Sequence, residues 1–95
     1  MANVRVLRRA EAELEEAVAW YQSRDPRTAR RFKVAVAAAL GRIASLPELY
    51  ALEDANLRLC PIAKSRYVIV YEYDSAANEV VVISLANPTQ EAPEW

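Results

Sequence analysis

Arg58, Lys64 and Arg66 are the only cations in residues 48–95, and they fall within nine residues of one another around the short break Ala63-Lys64-Ser65. Cations gathered at a turn attract anions, so this cluster could contact an acidic protein surface or DNA phosphate. The same three residues would also serve as solvated hairpin charges, removable with a stability change of only ~0.5 kcal/mol. A second group, Arg27, Arg30, Arg31 and Lys33, lies in a stretch of helical periodicity. Arg27 and Arg31 are four apart and share one helix stripe, which could receive an acidic segment; the whole group equally suits a solvated helix face. Trp20 and Trp95 carry the largest apolar side chains, for packing or for a partner. Cys60, in an apolar run beside Pro61, reads as a small core residue with no activating cation fixed next to it.

Several chemistries are excluded by the residue types that are missing. The chain has no histidine, which removes Ser-His-Asp and Cys-His triads, His-ligated metals and imidazole acid–base catalysis. Its one glycine, Gly41, cannot write a P-loop or a dinucleotide fingerprint. A single cysteine allows neither an internal disulfide nor a cysteine-rich zinc site, and it suits a reducing compartment. No metal and no other cofactor is expected. The start, Met1-Ala2-Asn3-Val4-Arg5, lacks the apolar run of a secretory signal, and no stretch approaches the ~20 apolar residues that span a bilayer. The expected location is cytoplasmic, with no membrane partner.

Ninety-five residues, 54% hydrophobic and 26% charged, describe one folded domain over 1–95 that is small enough to gain from a partner covering apolar surface. Net charge is −1, but residues 1–47 carry nine Arg/Lys against five acids and residues 48–95 three against eight. A chain with this balance is not expected to bind nucleic acid specifically on its own; any contact must be local.

The elements that must position these residues follow from period and breakers. Asn3 to Leu7 alternates as a strand. From about Ala10 the period lengthens: Ala10, Leu14, Ala17, Val18 and Tyr21 mark a helix whose other face carries Glu11, Glu13, Glu15, Glu16 and Gln22. That helix ends near Ser23-Arg24. Asp25-Pro26 opens a second one, as N-cap and first helical residue, running through Ala29, Phe32, Val36, Leu40, Ile43 and Leu46 to Pro47. A link of about three residues makes the two an antiparallel hairpin. Leu57–Ile62, Arg66–Asp74 and Glu79–Leu85 form a three-stranded meander, with the middle run apolar on both faces and therefore central. The tail from Asn87 to Trp95, with Pro88 and Pro93, is irregular. The order strand-helix-helix-strand-strand-strand gives an α+β fold, a helical hairpin packed on a mainly antiparallel four-stranded sheet.

The stretch RRAEAELEEAVAWYQSRDPRTARRFKVAVAAALGRIASLPELY, with LRLCPIAKSRYVIVYEY and EVVVISLANPTQEAPEW after it, resembles the RelE/ParE superfamily of type II toxins, or plasmid stabilisation proteins. The resemblance runs from about Val4 to Trp95. It is carried by the order and spacing of Ala10, Leu14, Ala17 and Tyr21, Ala29 with Phe32, Leu46-Pro47, Tyr67 to Tyr71, and Pro93 before Trp95. It implies a growth-inhibiting toxin neutralised by a cognate antitoxin, acting as a ribosome-dependent mRNA endonuclease if RelE-like or as a DNA gyrase inhibitor if ParE-like.

RNA cleavage needs a proton acceptor, cations on the phosphorane and a proton donor for the leaving oxygen. RelE-like members resembling this chain often place arginine directly after the first tyrosine of the strand, where Val68 stands here. They often end the last strand in His or Lys followed by Arg, where this chain reads Ala86-Asn87-Pro88-Thr89-Gln90. Apart from none at all between Tyr67 and Trp95, the sheet half has only its three cations, so no catalytic residue is assigned and the resemblance implies a ParE-like toxin that acts by binding. Arg58, Lys64 and Arg66 are then the candidate target-binding residues, and Arg27, Arg31, Trp20 and Trp95 the candidate antitoxin-binding residues. A RelE-type endonuclease with its groups elsewhere remains an alternative. So does a non-toxic, degenerate homologue that only binds its antitoxin, which the net charge of −1 favours because the family is usually basic.

Overall fold

Asp25 sets the first half of the fold. In the computed structural model, which describes residues 1–87, helices α1 (Arg8–Arg24) and α2 (Pro26–Ser45) are separated by that single residue, a tighter link than the expected three. Its extended backbone N–H closes α1 on the Tyr21 carbonyl at 2.8 Å, and its Oδ1 accepts the Arg27 N–H of α2 at 3.0 Å. One aspartate therefore satisfies backbone groups at both helix ends, while Pro26 at the first position of α2 has no N–H to orphan. The two helices pack on each other, and Ala10 and Ala17 on α1 and Ala29 and Ala39 on α2 are buried small residues of the hairpin.

Five strands, β1 (Asn3–Val6), β2 (Leu52–Asp54), β3 (Leu57–Pro61), β4 (Val68–Asp74) and β5 (Glu79–Ala86), make one mixed sheet in the order β1-β5-β4-β3-β2. β2 to β5 are antiparallel neighbours, and β4 is the middle strand, as its two apolar faces implied. The expected four-stranded sheet is corrected by β2. Leu52-Glu53-Asp54 holds two acids in three residues and shows no alternation; it becomes a strand only by pairing with β3, Leu52 opposite Arg58 and Asp54 opposite Leu57. β1 lies parallel to β5, with Val4 beside Val80 and Val6 beside Val82, a pairing between distant parts of the chain that no local pattern encodes.

The core lies between the helices and one sheet face. Phe32, Val36 and Ile43 from α2 meet Cys60, Ile69, Tyr71, Val80 and Val82, all buried. The opposite face carries half-buried Leu59, Val68, Val70 and Val81. β1's ladder ends with the Leu7 N–H on the Val82 carbonyl at 3.0 Å, and the β4–β5 register shifts after Val82 so that Tyr71 faces Val82 and Val70 faces Ser84. Glu13 of α1 takes over there. Its Oε1 accepts the Leu85 N–H at 2.9 Å and the Ser84 hydroxyl at 3.0 Å, and its Oε2 the Arg9 Nε at 3.3 Å. The expectation that Glu13 faces away with the other glutamates is corrected: it lies three residues past buried Ala10, on the flank of the buried stripe. Partial burial works to raise its pKa, but the Leu85 N–H, the Ser84 hydroxyl and Arg9 outweigh that and hold the carboxyl below its ordinary value.

Candidate functional site

Three aromatic rings, from α1, α2 and the residue before β4, pack together at the end of the molecule where α1 passes into α2. Tyr21 of α1 and Phe32 of α2 have ring centroids 4.8 Å apart, and Tyr67, just before β4, lies 5.5 Å from Phe32 and 6.3 Å from Tyr21. The cluster ties both helices to the sheet, each pair contributing roughly 0.5–1.5 kcal/mol beyond area burial. Tyr21 and Phe32 also line an open groove of about 700 Å³ along α2. Arg27, Arg30 and Arg31 line one stretch of it, Val34, Ala35 and Ala38 the next, and the β3–β4 turn contributes Ala63 and Lys64. No aspartate or glutamate belongs to this lining.

The groove joins residues that sequence reasoning kept apart. Position along the chain groups Lys64 with Arg58 and Arg66, and Arg27 with Arg31, yet Lys64 and the helical arginines share one cavity. Burial, and then Tyr67, hold the Tyr21 phenol above its ordinary pKa, against the smaller opposing effect of the exposed Arg66 charge, and Arg66 itself is not part of the groove lining. Lys64 has a positive φ of 57°, a left-handed conformation in which a non-glycine residue is strained. The turn enforces it. The Ser65 N–H and hydroxyl both donate to the Ile62 carbonyl, at 3.2 and 3.0 Å, and the Tyr67 N–H donates to the Ser65 Oγ at 3.1 Å.

Arg58 does not join this group, and the expectation of a solvated hairpin charge is corrected for it. Its side chain is only 13% exposed, and Nη1 donates to the Glu48 carbonyl at 3.4 Å and to the Tyr50 carbonyl. The signal was present in the strand's period: Arg58 shares its face of β3 with Cys60, which is fully buried. Trp20 is 49% exposed next to Tyr21, with the Arg24 guanidinium 3.7 Å above its ring, so its face is covered by a cation within the chain. Trp95 lies outside the described residues. Among those residues no group of three or more His, Cys, Asp or Glu stands together as a metal site, and no helix is long and apolar enough to cross a membrane.

A helical hairpin on a mixed sheet is an architecture that solved structures share with this chain. The chain superposes on a structure described as the chromosomal ParDE TA system from P. aeruginosa with a TM-score of 0.77 at 13% identity, covering 92% of this chain and 96% of that one. It also superposes on the metal-bound toxin from Helicobacter pylori with a TM-score of 0.65 at 16% identity, covering 95% and 98%. No curated protein sequence matches the chain. The model of the family described as the ParE toxin of type II toxin–antitoxin systems, parDE, matches residues 4–88, and the chain belongs to that family.

Proposed function

We propose that this ParE-type toxin acts by binding DNA gyrase rather than by catalysis of its own, and that a cognate antitoxin neutralises it by laying an acidic segment in the groove along α2. The carrying observation is that Arg27, Arg30, Arg31 and Lys64 surround a cavity with an aromatic and aliphatic lining and no acidic residue. Such a site favours a peptide with carboxylates on one side and apolar side chains on the other, because the cations meet the first and Phe32, Val34 and Ala35 the second. Trp20 and Trp95 are proposed as flanking antitoxin contacts. Lys64 and Arg66 are proposed as target contacts, whereas Arg58, the third cation of the sheet half, holds the backbone of Glu48 and Tyr50 and would bear on a target only through that loop.

The test has two parts. Purified toxin incubated with gyrase should abolish supercoiling or leave linear DNA, and it should leave translated mRNA intact; cleaved mRNA with unaffected gyrase would establish the endonuclease reading instead. Co-expression with the antitoxin should give a complex burying on the order of 1,000 Å² or more. Arg27→Glu with Arg31→Glu should break that complex and leave the toxin folded. A complex that survives both charge reversals would overturn the groove as its seat.

A further inference from the structure

The segment between α2 and β3 contains no helix and only three residues of strand, yet polar side chains that are buried or half-buried fasten it to the core. The Tyr71 hydroxyl, on a residue with no exposed surface, donates to the Pro47 carbonyl at 2.8 Å. Arg58 donates to the Glu48 and Tyr50 carbonyls, and the Arg42 Nε to the Tyr50 hydroxyl at 3.2 Å. The Leu49 N–H closes a turn on the Leu46 carbonyl at 3.0 Å. Fixing backbone costs about 1–2 kcal/mol per residue in entropy, and here it is fixed in a form that leaves Leu46, Leu49 and Leu52 exposed by 57%, 55% and 54%. Leucines left more than half exposed gain little from that order within the chain itself.

The charge around these leucines is of one sign. Glu48, Glu53 and Asp54 are exposed, while the two cations that flank the loop in sequence are engaged within the chain: half-buried Arg42 donates to the Tyr50 hydroxyl and the Pro61 carbonyl, and Arg58 is turned inward onto the Glu48 and Tyr50 carbonyls. β2 is also the edge strand of the sheet, so its outer side can pair with an extended segment.

We propose that the loop from Leu46 to Asp54 is a second docking surface, for a protein segment that carries apolar side chains interleaved with lysine or arginine. It selects the opposite charge from the groove along α2, and the proposal stands whether or not gyrase is the target. A second copy of this chain is disfavoured, because a two-fold contact through β2 brings Glu53 and Asp54 of one copy close to the same acids of the other. An acidic segment meets the same repulsion.

Two synthetic peptides provide the probe, one alternating leucine with lysine and the other leucine with glutamate, each titrated into the isotopically labelled full chain. The lysine peptide should shift the amide signals of Leu46, Leu49, Leu52 and their neighbours, and the glutamate peptide should not. Leu49→Ser with Leu52→Ser should weaken lysine-peptide binding at least about tenfold, and Glu48→Gln, Glu53→Gln and Asp54→Asn together should weaken it several-fold. Lys64→Ala should leave it unchanged. The shift map on the unaltered chain keeps the test decisive even if a leucine variant is unstable. Shifts that map elsewhere, binding indifferent to both sets of substitutions, or a homodimer that disappears with Leu49→Ser and Leu52→Ser would each overturn the proposal.

Discussion

Replacing Arg58 with alanine separates a residue that contacts a partner from one that holds the loop presenting other residues. The guanidinium donates to two carbonyls, of Glu48 and Tyr50, in a side chain 13% exposed. Hydrogen bonds from a charged donor are worth about 1.5–3 kcal/mol each, and removing the donor leaves both carbonyls to whatever water can reach them. The Arg58–Glu48 ion pair adds little, because it is 4.0 Å long and the Glu48 side chain is 68% exposed. Because the bond to the Glu48 carbonyl is long, at 3.4 Å, and lies where water can replace the donor, Arg58→Ala should cost about 2–4 kcal/mol rather than the full sum of two such bonds, and with about 4–8 °C per kcal/mol for a domain of this size the melting temperature should fall by roughly 10–30 °C. Urea unfolding followed by circular dichroism measures it as a shift in midpoint at unchanged slope. Lys64→Ala, at an exposed turn position, should stay within ~0.5 kcal/mol of the parent. Arg58→Lys, which keeps the charge but loses the planar fork, should fall between the two. Hydrogen exchange adds the location: the Leu49 amide should lose protection in Arg58→Ala before the amides of β4 do. If Arg58→Ala is as stable as Lys64→Ala, the loop is not held by this residue, and any loss of toxicity in the variant reports a direct contact.

Glu13→Gln should destabilise the chain at neutral pH. Because the Glu13 carboxyl sits below its ordinary pKa, its contribution is present above about pH 4.3, the unfolded value, and is lost as pH falls through the folded one, so the melting curves of parent and variant should converge in acid. A gap that stays constant on acidification would show that charge on Glu13 is not what Leu85 and Ser84 recognise. Lys64→Gly should melt at or above the parent by up to about 1 kcal/mol, because glycine relieves the left-handed strain at φ 57°, while weakening whatever contact the ammonium makes. Tyr71, pushed up to about 12 by burial and by Cys60 and Tyr50 against the opposing charge of Arg58, should be the last phenol to ionise in an ultraviolet titration. The stability linked to its neutral form should persist below about pH 10 and vanish as pH climbs toward 12, and Tyr71→Phe should remove that final absorbance step.

Local physics was enough to read both helices, the Asp25-Pro26 junction and the three long strands from the sequence. An aspartate before proline caps a helix wherever it stands, and the change from a period of about four to one of two is visible without knowing what the elements pack against. Tertiary contact decided everything that depends on what lies across from a residue. Leu52–Asp54 is a strand only because β3 offers it hydrogen bonds, and β1 pairs with β5, a strand far along the chain that no local pattern points to. Glu13 and Arg58 belong to charged residue types that default to solvent, and each is drawn inward by backbone groups left without partners, the Leu85 N–H in one case and the Glu48 and Tyr50 carbonyls in the other. The groove has the same origin. Arg27, Arg30 and Arg31 share a helix, but Lys64 lies 33 residues further along from Arg31 and reaches them only because the Tyr21–Phe32–Tyr67 cluster pins the β3–β4 turn to the helices. Charge type and spacing along a chain are sequence properties, whereas the sign and shape of a surface are sums over elements that only packing brings together.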